Sequence, residues 1–256
     1  DHRNPYTFQD YSVYCLCQDK EGGIWAGTYF AGVAYSWGNG TEPVKRYYAN
    51  PESRGLGHYV REIVSDADGN LWIGTESKSL FHYVPQSDKI EPVWNDRLLS
   101  SNIHGLCCDG DFVWVGTYEQ TRSLVRIHRR TLASKSYPSA GKEIYTICRT
   151  SGGELWIGTT SGLKRYDRAT DRFVGDSAIR SHVYHIREDS SGNIWAATYS
   201  DGLYKYDAMK DAWRHYLYAE RDTASLAANK VLSVFEDSRS RICLLYTSPS
   251  PRDYAA

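Results

Sequence analysis

The sequence predicts an all-β chain built from β-propeller blades. Two observations carry this prediction: a tryptophan motif that recurs along most of the chain, and a composition typical of short strands joined by tight turns. The 256 residues include 21 Tyr, 8 Trp and 21 Gly, and no long segment keeps a helical period. Aromatic and β-branched residues favour strands, whereas the intervening Gly, Asp and Asn favour turns.

The repeat is defined by the motif W-[IVA]-[GA]-T. Successive motif tryptophans lie 47, 42, 42 and 39 residues apart, which matches the ~40–50 residues of a four-stranded propeller blade. One Trp at a fixed strand position in each repeat is what packing between neighbouring blades needs, so we interpret these rings as structural rather than as a sugar-stacking platform. The motif tryptophans are Trp25, Trp72, Trp114, Trp156 and Trp195.

Each repeat is predicted to form four antiparallel strands. An apolar first strand leads into a turn such as DADGN (Asp66–Asn70) or DSSGN (Asp189–Asn193). The second strand carries the Trp and ends in GT, the third ends in Tyr-Asp, and the fourth carries aromatic residues. The predicted first strands are Val13–Cys17, Val60–Val64, Ile103–Cys107, Ile144–Cys148, Val183–Arg187 and Val231–Phe235.

The sixth repeat departs from this pattern. Cys243 stands where the Trp belongs, and residues 244–256 lack both the GT and the following GL. We therefore expect propeller repeats over residues 1–243 and a non-native or disordered tail over residues 244–256. Terminal blades need neighbours to cover their faces, so about six repeats predict an incomplete propeller with poorly covered ends, as an open or strained arc.

Charge and cysteine content narrow the possible functions. The 30 basic and 31 acidic residues leave no basic excess, which argues against nucleic-acid binding. The six cysteines leave disulfides open, but Cys17, Cys107 and Cys148 are repeat-equivalent and are better explained as small buried residues than as partners of one another. Neither the cysteine spacing nor the turn at Asp66 matches a metal site, so no metal and no cofactor are expected.

The pattern V-x-x-I-x-x-D-x-x-G-N-L-W-I-G-T-x-x-G-L-x-R-Y-D resembles the two-component regulator propeller repeat. The segment Trp213–Asp237 also resembles the link between blades in that family, and the resemblance covers roughly residues 10–243. It implies a fragment of the periplasmic sensor region of a hybrid two-component histidine kinase in the inner membrane. The implied partners are further blades and a signalling module in the parent chain, a second copy of the parent in a homodimer, and an oligosaccharide ligand.

The loops carry the candidate binding residues. In a four-stranded antiparallel blade, the loop between the second and third strands and the loop between blades lie on the same face. Three repeats place a Tyr directly after the Thr that ends the tryptophan motif, and the neighbouring loops carry imidazoles, amides and charges, a mixture that suits a carbohydrate. The alternative is that these tyrosines only cover blade edges. The principal candidates are Tyr29, Tyr118, Tyr199, Glu119, His58 and His104; further loop residues are Phe30, Tyr59, Asn102, Lys142, His182, Tyr184 and Asn229.

Catalysis is not expected of this region. The chain has neither G-x-S-x-G nor H-E-x-x-H. A propeller hydrolase or lyase, the main alternative, would need two carboxylates ~5–10 Å apart on one face. The acidic residues in the loops between the second and third strands come from different blades: Glu76, Glu119 and Asp201. A protein-interaction propeller, the third possibility, would show an apolar patch on the loop face.

Overall fold

The computed structural model describes residue 10 and residues 12–37, 42–47, 59–76, 80–93, 102–119 and 123–246. Within these residues the strands form five four-stranded antiparallel sheets and one two-stranded sheet, each with its strands paired in chain order. This confirms the predicted fold class, β-propeller blades of four antiparallel strands. The chain divides into two compact units, residues 1–136 and 137–256.

The first unit contains blades 1 to 3. Blade 1 consists of β1 (Val13–Gln18), β2 (Ile24–Thr28), β3 (Val33–Ser36) and β4 (Lys45–Tyr47). Blade 2 consists of β5 (Val60–Ser65), β6 (Leu71–Thr75), β7 (Leu80–Val84) and β8 (Lys89–Pro92). Blade 3 consists of β9 (Ile103–Asp109), β10 (Phe112–Thr117), β11 (Leu124–His128) and β12 (Ser134–Ser136).

The second unit contains blades 4 to 6 and opens with a short 3₁₀-helix (Pro138–Ala140). Blade 4 consists of β13 (Ile144–Arg149), β14 (Leu155–Thr159), β15 (Gly162–Asp167) and β16 (Arg172–Gly175). Blade 5 consists of β17 (Val183–Glu188), β18 (Ile194–Thr198), β19 (Leu203–Asp207) and β20 (Ala212–Tyr216). Blade 6 consists, in its described part, of β21 (Val231–Glu236) and β22 (Ile242–Tyr246).

The first strand of every blade begins at the predicted residue and runs slightly further than predicted. The boundary at residue 243 needs a correction, because β22 continues through Leu244 and Leu245 to Tyr246. These residues pair with the first strand of blade 6 in the same register as the Trp strand of the other blades, for example Val231 with Tyr246. Residues 247–256 of the expected tail lie outside the described residues.

The motif tryptophans occupy the centres of the blade cores, with exposed fractions between 0% and 8%. Trp25 shows how they join adjacent blades: its ring centroid lies 4.6 Å from that of Tyr35 in its own blade and 4.6 Å from that of Tyr83 in blade 2. In the second unit, Trp156 similarly contacts Tyr206 and Trp213 of blade 5. Large aromatic surfaces buried between sheets therefore supply much of the apolar packing of each unit.

The glycine of the GT motif is required by the approach of the next blade. A Cβ atom on Gly27 would lie 2.6 Å from Val60, and one on Gly158 would lie 2.8 Å from Val183. Val60 and Val183 are the first residues of the following blade's first strand and are fully buried. The small residue before the Thr therefore sets how closely two blades pack.

In three blades, an Asp in the turn between the first two strands accepts a hydrogen bond from the indole N–H of the motif tryptophan. In blade 5, Asp189 Oδ1 accepts hydrogen bonds from the backbone N–H groups of Ser191 and Asn193, at 3.0 and 2.8 Å. Asp189 Oδ2 accepts a hydrogen bond from Trp195 Nε1 at 2.8 Å. Asp19 and Asp66 bind Trp25 and Trp72 in the same way in the first unit. One side chain thus closes the turn and orients the indole.

Blades 4 and 6 show how this arrangement varies. In blade 4 the turn residue is Thr150, and Glu154 accepts the indole hydrogen bond of Trp156 at 3.3 Å. In blade 6 Asp237 still accepts from the backbone N–H groups of Arg239 and Arg241, but its second oxygen accepts from the Arg241 guanidinium. Because Cys243 replaces the Trp, the Asp237 turn persists without an indole.

The outer faces of the terminal blades are exposed where their counterparts are buried. Leu16 of blade 1 is 67% exposed, whereas the equivalent Ile63 of blade 2 is 3% exposed. In blade 6, β22 alternates between half-buried and exposed residues, whereas β18 of blade 5 is buried throughout.

Replacing Asp189 by Ala should lower the free energy of unfolding by about 2–3 kcal/mol, because two turn N–H groups and a buried indole N–H lose their acceptor. The matched control is Asp237→Ala, which removes the same turn contacts and, in place of a buried indole contact, the exposed Arg241 contact, and should cost about 1 kcal/mol. Urea denaturation of both variants measures the difference. Equal losses would show that the indole hydrogen bond adds nothing.

Acid should weaken the same contacts. Burial alone would raise the pKa of Asp189, but hydrogen bonds from Trp195, Asn193 and Ser191 outweigh burial and hold the pKa below its ordinary 3.8. A carboxyl with a depressed folded-state pKa stabilises the fold above its unfolded pKa and loses this contribution as pH falls through the folded value. Asp189→Asn should therefore show a shallower loss of stability than the unsubstituted chain below about pH 4, measured by urea denaturation across pH. Parallel curves would refute this.

Candidate ligand-binding surfaces

Every blade carries a β-bulge at the second residue of its first strand. In blade 5, Val183 pairs with Thr198 and His185 with Ala197, so Tyr184 is the extra residue. A bulge redirects the side chain of the extra residue out of the regular alternation of the strand. The bulge residues are Tyr14, Arg61 and His104 in the first unit, and Tyr145, Tyr184 and Leu232 in the second.

In blades 1, 2, 3 and 5 a second position lies beside the bulge. The residue after the Thr of GT donates its backbone N–H to the residue that precedes the first strand: Tyr29 to Ser12 at 3.0 Å and Tyr199 to His182 at 2.9 Å. In blades 1, 2, 3 and 5 the bulge residue, the post-Thr residue and the pre-strand residue therefore meet at one end of the blade. This places the predicted post-Thr tyrosines beside side chains that strand periodicity does not reveal.

In the first unit these positions form an aromatic cluster at blades 1 and 2. Tyr29 stacks on Tyr14 with ring centroids 5.3 Å apart, and its ring lies 4.6 Å from Tyr59 and 4.7 Å from Phe30. Tyr14 and Phe30 are 49% and 62% exposed. The cluster therefore presents ring surface to solvent while Tyr29 is held by its neighbours.

Charged and polar side chains extend this cluster to blade 3. The Arg61 guanidinium lies 4.6 Å from the Tyr14 ring, and Arg61 Nε donates a hydrogen bond to Glu76 Oε1 at 2.6 Å. His104 Nε2 lies 3.8 Å from Glu76 Oε1, and the His104 ring stacks on Tyr118 at 5.5 Å. Burial, with a smaller contribution from Arg61, lowers the pKa of His104 to about 4, so its imidazole is neutral at pH 7.

The second unit holds a tighter aromatic cluster at blades 4 and 5. His182 lies between Tyr145 at 4.2 Å, Tyr184 at 5.1 Å and Tyr199 at 5.6 Å, all measured between ring centroids. Lys230, which precedes blade 6, places its Nζ 4.2 Å from the centre of the Tyr199 ring. We call these five residues the tyrosine–histidine cluster.

Electrostatics leave a single formal charge on this cluster. Burial lowers the pKa of His182, partly offset by Glu143, so the imidazole is neutral at pH 7 and contributes a flat ring with polar edges. Lys230 carries the positive charge. Since Tyr199 remains 43% exposed, the cluster offers solvent one accessible ring beside one cation.

The remaining predicted residues have several locations. Glu119 follows Tyr118 and is half-buried, and Asn102 accepts the backbone N–H of Tyr118 through its carbonyl at 2.9 Å. Asn229 serves the link between blades, because its side-chain oxygen accepts the N–H of Tyr218 at 2.7 Å. His58 lies outside the described residues.

Sequence reasoning missed Tyr14, Arg61, Tyr145 and Lys230. It named His104 and Tyr184 as loop residues but treated the same position in blades 1, 2 and 4 as an ordinary strand position, because alternation alone does not reveal a bulge. The available signal was the repeat itself: Tyr, Arg, His, Tyr and Tyr recur directly after the opening Val or Ile of the first five repeats. A large polar or aromatic residue that recurs at this position indicates a side chain at the surface of the blade rather than one packed in its core.

The described residues contain neither a helix long and apolar enough to cross a membrane nor a group of three or more His, Cys, Asp or Glu side chains placed to hold a metal ion. The six cysteines form no disulfide. Cys17, Cys107 and Cys148 each pair across the ladder with a motif Trp. Burial raises the pKa of Cys17 and of Cys148 to about 11.

Comparison with known proteins places the repeats in context. The model of the two component regulator propeller matches residues 7–30, 55–77, 138–161 and 179–200. Histidine kinase P4 of Formosa agariphila is 25% identical over 217 residues, which are 83% of this chain and 13% of that protein. The chain therefore spans a small part of the length of this relative.

Solved structures share the fold at low sequence identity. The extracellular domain of a putative hybrid two component system from B. thetaiotaomicron superposes with a TM-score of 0.79 at 20% identity, covering 93% of this chain and 34% of that one. A catalytically inactive virginiamycin B lyase from Staphylococcus aureus superposes with a TM-score of 0.69 at 13% identity, covering 96% and 87%. The structural matches establish a propeller fold, and four of the repeats are similar to the two component regulator propeller.

Proposed function

We propose that this chain is part of the extracytoplasmic, periplasmic ligand-sensing propeller of a hybrid two-component signalling protein, and that its ligand is an oligosaccharide. The repeat family and the similarity to a histidine kinase support the signalling assignment. The tyrosine–histidine cluster carries the ligand assignment. In this proposal the parent chain supplies further blades and the kinase module, and the parent acts as a homodimer.

The chemistry of the cluster suits a sugar. A pyranose ring has apolar C–H faces and hydroxyl edges, so it stacks on a flat ring and hydrogen-bonds at its rim. Tyr199 offers an exposed ring, Tyr145 and Tyr184 offer hydroxyls, and the neutral His182 is both donor and acceptor. Contacts among the rings restrict their rotamers, so less conformational entropy is lost on binding.

In the first unit, a different series of side-chain contacts supports the same assignment. From Tyr29 to Tyr118 the side chains alternate between rings and hydrogen-bonding groups, through Tyr14, Arg61, Glu76 and His104. The ionised Arg61–Glu76 pair gives charge-assisted donors and acceptors for hydroxyl groups. A chain of several sugar units could use alternating sites of this kind.

Signalling requires that the ligand bind one state better than another. A propeller of closely packed blades is stiff, as the contacts at Gly27 and Gly158 show. The response therefore passes as rigid-body movement against a partner domain or protomer, rather than as a rearrangement within a blade.

Substitution of Tyr199 by Ala should weaken oligosaccharide binding at least fivefold, because an exposed stacking ring is lost. Tyr29→Ala and Tyr118→Ala should weaken it as well. Calorimetry of the parent sensor region against a panel of oligosaccharides gives the affinities. Met209→Ala, at a fully exposed turn residue between β19 and β20, is the control and should change the affinity by less than ~0.5 kcal/mol. A ligand whose affinity survives all three Tyr changes binds elsewhere.

The propeller should release no reducing sugar from polysaccharides above the control without protein. Asp201, an acid on the loop face, already accepts the Tyr204 hydroxyl at 2.6 Å and lies 3.6 Å from His215 Nε2, so it serves the blade itself. Incubation of the parent region followed by a reducing-end assay is the measurement. Turnover that disappears in Glu119→Ala or Asp201→Ala would instead establish an enzyme.

A further inference from the structure

The first unit contains a groove between blades 1 and 2, away from the bulges. It is a cavity of about 430 Å³ lined by the blade 1 turn residues Asp19 and Glu21, the aromatic residues Tyr35 and Trp37, and Pro85 of blade 2. Pockets of ~300–1,000 Å³ are typical of ligand sites. The groove belongs to neither aromatic cluster described above.

The next groove of the same unit shows how the fold treats this position. The blade 2 turn carries Asp66 and Asp68, and Arg129 of blade 3 reaches both carboxylates. The Arg129 Nη1 atom lies 2.7 Å from Asp68 Oδ2 and 3.4 Å from Asp66 Oδ2. The Arg129 side chain is only 9% exposed, so the guanidinium fills its groove. Two turn acids are thus balanced by one arginine from the neighbouring blade.

Blade 1 keeps the acids, but blade 2 does not provide the arginine. Asp19 and Glu21 occupy the positions of Asp66 and Asp68, and Pro85 follows β7 where Arg129 follows β11. Asp19 makes the same turn and indole hydrogen bonds as Asp66, at 3.0, 2.7 and 2.8 Å. Among the described residues, however, neither Asp19 nor Glu21 has an ion-pair partner.

The two lysines that line the groove already have hydrogen-bond partners other than Asp19 and Glu21. Lys45 donates a hydrogen bond to Asp88, which also accepts from the hydroxyls of Tyr47 at 2.7 Å and Tyr83 at 3.1 Å. Lys20 donates to the carbonyl oxygen of Ala67 in blade 2. The groove therefore keeps a negative edge at Asp19 and Glu21.

Aromatic residues complete the groove in a way found in no other described blade. Across the ladder from the motif Trp, blades 2 to 5 place His82, Arg126, Arg165 and Lys205, and blade 1 places Tyr35. Trp37 packs edge-on against Tyr35 at 5.2 Å and stays 47% exposed. An exposed Trp beside unpaired carboxylates is a favourable environment for a cation.

We propose that this groove binds the guanidinium group of an arginine side chain presented by another polypeptide segment. The carboxylates of Asp19 and Glu21 take the place of Asp66 and Asp68, and Trp37 stacks on the guanidinium plane. An arginine on a polypeptide turn has a precedent in this fold at Arg129, and the cavity is larger than a guanidinium alone requires. The site is independent of the oligosaccharide proposal.

The test is a titration of the 256-residue chain with the capped tripeptide acetyl-Gly-Arg-Gly-amide, followed by NMR of the Trp37 indole. The arginine peptide should shift this resonance, and a peptide with the neutral isostere citrulline should bind at least tenfold more weakly. Glu21→Gln should weaken binding about fivefold, as expected for loss of one charge-assisted pair. Glu220→Gln, at an exposed acid in the second unit, is the matched control and should leave the affinity unchanged.

A second variant fills the groove from within. Pro85→Arg recreates the blade 3 arrangement and should abolish binding of the tripeptide while leaving the midpoint of urea denaturation unchanged or raised. Equal binding of the citrulline peptide, or unchanged binding in both Glu21→Gln and Pro85→Arg, would overturn the proposal. Agmatine distinguishes the source of the group: it should bind more weakly than the tripeptide, and equal affinity would assign the groove to a small guanidinium ligand instead.

Discussion

The packing of a motif tryptophan between two sheets is the contact on which each unit depends. The indole must be buried against the next blade, yet its N–H must keep a partner, because a buried unpaired donor is costly. A turn carboxylate meets this requirement in blades 1, 2 and 5, and Glu154 meets it in blade 4. In blades 1, 2 and 5 the same carboxylate closes the turn, so local backbone geometry and packing between blades rest on a single side chain.

This coupling explains which parts of the fold could be predicted from the sequence. The Trp, the GT and the Asp-containing turn each occupy one fixed place in a blade. Their spacing was therefore enough to predict where each blade lies and where its first strand begins. The end of blade 6 was misjudged because Cys243 removed the signal, although the backbone of β22 still pairs with β21 in the usual register. Strand pairing needs no tryptophan once the preceding strand is in place.

The residues of the candidate binding surface were less predictable, for an equally physical reason. The position of the post-Thr tyrosines follows from topology, whereas the side chains of Tyr14, Arg61 and Tyr145 are placed by a bulge. A one-residue insertion in a ladder leaves little trace in a hydrophobic pattern. The ion pairs of Arg129, and the Pro85 that stands in the equivalent position of blade 2, were also not predicted from the sequence. A contact between blades becomes evident only when two repeats are placed side by side.

The bulge has a consequence for how such repeats diversify. Its side chain stands outside the ladder, so Tyr, Arg, His and Leu occupy equivalent places on nearly identical backbones within this single chain. The residue at the bulge can therefore be substituted in one blade at a time without disturbing the packing of the motif tryptophans. In a repeat scaffold of this kind, surface chemistry can change through substitution of a few bulge residues while the backbone and the core of each blade are retained.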